Sequence, residues 1–224
     1  MIARLTAYLA LLLFIIGGPV LAALQGVDLN LLTESRMAPT YGTSEHSVIE
    51  WMQVAILLVI GLLCLLAIRY QPDHPGLAIV LLAIAGIALV RELDLFLDYY
   101  LIDHAWQLLV ALIAVATGTY IMRRSRSLAV AMVRIQPSSS LALIIAAIAL
   151  LLVYANILGH APFWQSVLGA DYSRTVKVAI EEFAELSGYW LWLVGQCEFL
   201  VHCRRSSSER PARDRRRQDR RKRG

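Results

Sequence analysis

Glu50, Arg91, Glu92, Asp94, Glu182 and Glu185 each lie about a turn or more inside a long apolar stretch. A charge placed at the centre of a spanning helix costs from about 2.5 kcal/mol upward, so those that persist face a bundle interior and usually act there. Spacing groups them further. His46, Glu50 and Gln53 stand at i, i+4 and i+7, which puts a histidine, a carboxylate and an amide on one helical face. Arg91, Asp94 and Asp98 share a second face, Glu181 and Glu185 stack one turn apart on a third, and His104 follows Asp103 at the start of another apolar run.

Three kinds of chemistry fit these residue types. The first is metal binding, because His46, Glu50, Asp94, His104 and Glu185 are ligand types for zinc or another divalent cation. Three of them plus a bound water would make a hydrolytic centre for an ester or amide, such as one in a lipid. No HExxH or HxxxH pattern accompanies them, so this constellation depends wholly on topology. The second is proton, ion or small-ligand binding, with or without transport. One guanidinium can pair with two carboxylates, but Glu50, Glu92, Asp94, Glu181, Glu182 and Glu185 outnumber Arg91. The excess requires a proton, a cation or water, since carboxylates in close contact do not all stay ionised. His46 and His104 are the additional proton carriers on this reading. The third is structural: ion pairs that specify helix packing in a non-enzymatic membrane subunit or assembly factor with a membrane-protein partner. Ion or small-ligand binding is placed slightly ahead of the other two.

The elements that position these residues are membrane helices. Of 224 residues 58% are hydrophobic, and mean hydropathy is +0.60, more apolar surface than a water-soluble domain of this size can hide. In lipid only a helix or closed barrel satisfies its own backbone, and about 20 apolar residues cross the hydrocarbon. The runs predict an all-α, polytopic bundle with spans at roughly Leu5 to Leu24, Val48 to Ile68, Leu77 to Leu97, Ala105 to Met122, Leu141 to Leu158 and Val178 to Val201. The first doubles as a secretory leader with a small-residue site at Ala22, in which case five spans remain. Domain boundaries follow: 1–24 first helix or leader, 25–203 bundle, 204–224 tail.

Charge orients the bundle. Residues 204–224 carry eleven Lys or Arg against Glu209, Asp214 and Asp219, a balance of +8 that leaves −4 for the rest of a +4 chain. Arg123 to Arg134 holds four more arginines, while Asp98 to Asp103 has no cation. Positive segments stay cytoplasmic, so the expected placement is a plasma (inner) membrane protein with its C-terminus inside and the polar cluster at the outer level. The tail has no apolar face and is expected to be disordered, with anionic lipid head groups as its partner in the bilayer. Nucleic acid is not expected, because no aromatics interleave the arginines. Cys64, Cys197 and Cys203 form no CxxC pair and read as small buried hydrophobes.

Overall fold

The computed structural model describes residues 2–17, 21, 25, 48–71, 75–135 and 139–223. Among them every regular element is helical. We label these α1 (Ile2–Leu12), α2 (Val48–Tyr70), α3 (Gly76–Glu92), α4 (Asp94–Tyr100), α5 (Ala105–Ile135), α6 (Ser139–Gly159), α7 (Ala161–Leu168) and α8 (Arg174–Arg223).

Three helices among the described residues are long and apolar enough to cross a membrane: α2, α6 and the Ala105–Val133 part of α5. They coincide with three of the six expected spans. The expected run from Leu77 to Leu97 is divided instead. It turns at Leu93 (φ −107°, ψ 14°), and α3 ends at Glu92 while Asp94 opens α4. A carboxylate is favoured in the first turn of a helix, where backbone N–H groups lack partners, so the Arg-Glu-Leu-Asp sequence suits a restart. The run from Val178 to Val201 falls wholly within α8, but Glu181, Glu182, Glu185, Gln196 and Glu198 interrupt its apolarity. Most of the expected first span beyond Gly17 lies outside the described residues. Residues 204–223, expected to lack regular structure, continue α8.

Packing follows apolar faces at helical spacing. Ile49, Gln53, Ile56, Leu57, Ile60, Cys64 and Ala67 line the buried side of α2. They meet Leu77, Ala78, Leu81 and Ala85 of α3, Ile144 and Ala147 of α6, and Leu186, Trp192, Leu193 and Phe199 of α8 in one core. Thus α8 packs between α2 and α6, and α3 between α2 and α5.

Two glycines of α8 approach α6 closely. A Cβ at Gly188 would lie 2.7 Å from Leu151 Cδ2, and one at Gly195 would lie 2.8 Å from Ile144 Cγ1 and 3.1 Å from its backbone nitrogen. These glycines are seven residues apart, so α8 presents bare backbone twice to the same neighbour. Where Leu151 meets Gly188, α6 widens to π-helical turns over Leu150–Ala155. The Asn156 amide donates to the Leu152 and Leu151 carbonyls there, at 3.0 and 3.3 Å. A side chain thereby supplies hydrogen bonds where the regular ladder is altered.

Candidate functional site

Three helix segments converge on a polar layer beside this core: the first turns of α2, the end of α3 and the first third of α8. Arg91 reaches across from α3, and its Nη2 donates to Glu185 Oε1 of α8 at 2.6 Å and lies 3.5 Å from Glu92 Oε1. Glu92 also accepts a hydrogen bond from the Tyr189 hydroxyl at 2.6 Å. One turn along α8, the Glu182 carboxylate accepts from Gln53 Nε2 of α2 at 2.9 Å. The same amide lies 3.3 Å from the Glu182 backbone carbonyl. The layer therefore ties α3 to α8 through a guanidinium and α2 to α8 through an amide.

Burial is uneven across it. The side chains of Glu92 and Glu185 are 7% and 10% exposed, whereas that of Arg91 is 48% exposed. Carboxylates deep in apolar surroundings depend on such contacts, because isolated charges there lose their hydration. Glu182 lies within electrostatic reach of Glu185, Glu50 and Glu92, and Arg91 within reach of Glu185 and Glu92. The next cation along α8, Lys177, is engaged with Glu181 at 2.5 Å. Glu92 and Glu185 thus share one guanidinium, and Glu182 adds a third carboxylate within electrostatic reach of both.

Glu50 and Asp94, expected in the same cluster, are half-buried in the first turns of α2 and α4, and both make polar interactions. His46 lies outside the described residues. His104 belongs to a different group. It is exposed, adopts a left-handed backbone (φ 66°) and sits 3.6 Å from Asp103. One ligand atom each from Asp98, Asp103 and His104 lies within 4.8 Å of the others. Among the described residues this is the one set of three metal-ligand side chains so gathered. Among the described residues, Glu50, Asp94, His104 and Glu185 are not gathered in this way, and His46, the fifth expected donor, lies outside them. An accessible acid-histidine group stands in the α4–α5 turn instead.

Sequence reasoning does not single out Tyr189. Its one signal is spacing: it stands four residues after Glu185 and so shares its face. Glu198, further along α8, accepts from the Tyr8 hydroxyl of α1 at 2.8 Å, which links the first helix to the last.

No protein family, curated protein or solved structure matches the chain.

Proposed function

We propose that this is a polytopic membrane protein whose carboxylate layer binds protons or a small cation, with or without movement of a solute. The observation that carries the reading is the imbalance of charge: Glu92 and Glu185 share Arg91, and Glu182 lies within electrostatic reach of both of these glutamates. A single guanidinium offsets one negative charge fully, and the remaining carboxylates are relieved by protons or a cation. In the full topology six helices span the plasma (inner) membrane, or five after loss of the first as a leader. The arginine-rich tail is cytoplasmic against anionic head groups, and the layer lies toward the outer compartment.

A metal-dependent hydrolase acting on lipid is less well supported, because among the described residues His104 is gathered with Asp98 and Asp103 rather than with the carboxylates of the layer. A packing role, in which the ion pair ties helices together within the chain or with a partner subunit, is the competing reading. The deciding experiment is infrared difference spectroscopy of the protein in lipid vesicles during a pH step, for the wild type, Glu182→Gln and Glu185→Gln. Proton binding predicts a protonated-carboxyl band that rises and falls reversibly with pH and shrinks in each folded variant. A band unchanged by both substitutions refutes the reading and leaves packing.

A further inference from the structure

The inner side of the carboxylate layer continues into hydrogen-bonding groups that the layer itself does not use. Glu185, Tyr189, Trp192 and Gln196 succeed one another at steps of four, three and four residues, so they share a face of α8. At about 1.5 Å per residue, Glu185 and Gln196 are about 16 Å apart along the axis, roughly half a hydrocarbon core. Gln196 is 0% exposed and Trp192 1%. Neither Gln196 Oε1 nor its Nε2 has a hydrogen-bond partner, and the same holds for Trp192 Nε1. At the layer itself Gln53, also 0% exposed, spends its amide nitrogen on Glu182 and leaves Oε1 without a partner.

Leaving a buried polar group unsatisfied is costly, and native proteins rarely do so. The chemistry of these orphans identifies the missing partner. Trp192 Nε1 and Gln196 Nε2 can only donate, whereas Gln53 Oε1 and Gln196 Oε1 can only accept. A cation would satisfy the acceptors and repel the donors. Water serves both, and buried waters characteristically take two to four such partners.

We propose that a file of water runs along this face of α8 from the carboxylate layer to Gln196 and carries protons from the layer to the middle of the bundle. The water itself is the carrier. Each molecule accepts one proton on its oxygen and passes on another, while Trp192 and Gln196 anchor the file without changing protonation. Its inner end is closed, because the next residues on the same face, Phe199 and Cys203, are buried among apolar neighbours with Cys64. The file is a blind branch, open to the layer alone.

This inference rests on the layer being a proton site, and one experiment separates the two. Gln196→Glu is nearly isosteric and plants an infrared-visible carboxyl at the end of the file. After transfer of the vesicles to D2O, the file predicts that the bands of the layer and of the introduced carboxyl both shift within minutes. Exchange in the layer but not at position 196 overturns the file alone. Exchange in neither overturns the reading of the layer, and exchange at position 196 alone overturns its connection to the layer. Should the variant not fold, the indole N–H of Trp192 in ¹⁵N-tryptophan-labelled wild type gives the same answer. Its signal is the one lost in Trp192→Phe; rapid exchange supports the file, and protection over hours refutes it.

Discussion

Breaking the Arg91–Glu185 contact should cost different amounts depending on which partner is removed. With their charge centres roughly 4 Å apart, two unit charges attract by about 4 kcal/mol at an effective dielectric of 20 and about 1 kcal/mol in water. The 2.6 Å contact joins a nearly buried carboxylate to a half-exposed guanidinium, so the coupling belongs between these limits, at about 2 kcal/mol. That is roughly a thirtyfold change in an equilibrium constant. Arg91→Met strands Glu185 and Glu92 in apolar surroundings, whereas Glu185→Gln leaves a guanidinium that water can reach. The arginine variant should therefore be the less stable of the two. A double-mutant cycle of Arg91→Met and Glu185→Gln, read by reversible unfolding in mixed micelles, isolates the coupling. A value below about 0.5 kcal/mol, the range of a solvated surface pair, would refute the argument that this contact holds α3 to α8.

The packing and the charge pattern give two more outcomes. Gly195→Ala should destabilise the bundle by about 1–3 kcal/mol in the same assay, because its Cβ meets Ile144 at both side chain and backbone; an unchanged midpoint would show that α6 gives way freely. Single cysteines at Ser125 and Ser173, in a background freed of native thiols, should label from opposite sides of sealed vesicles. Access to Ser125 from outside would reverse the proposed orientation.

Much of the helical layout is legible in the sequence because lipid-length apolar runs leave few alternatives. The α2 helix covers the expected run and extends two residues past Ile68. Hydropathy does not show the turn at Leu93, which depends on where a helix restarts rather than on how apolar it is. The members of the site are legible as charges too expensive to be incidental, but their partners are not. Arg91 and Glu185 are 94 residues apart, and sequence places both at one level of the bundle without fixing their positions around it. That same gap hides the separation of His104, which shares the expected depth of the glutamates but lies in the α4–α5 turn. Tyr189 escapes notice because an aromatic residue on an apolar helix ordinarily signals packing. Only the carboxylate across the interface gives its hydroxyl a task.

The backbone of α5 departs from helical geometry at one point, Arg124 (φ −119°, ψ 16°). From Ala105 to Met122 the helix is about 27 Å long, close to the thickness of the hydrocarbon core, and the bend comes just after that length is spent. The remainder of α5 has no need to run deeper. Leu128 is buried, and its side chain packs where a Cβ on Gly76 would intrude, at the start of α3. The bend divides α5 into an apolar rod of about the length that crosses a bilayer and a shorter arm packed against the start of α3. In a thinner or thicker bilayer the mismatch can be taken up at Arg124, leaving the carboxylate layer at the far end of the bundle undisturbed.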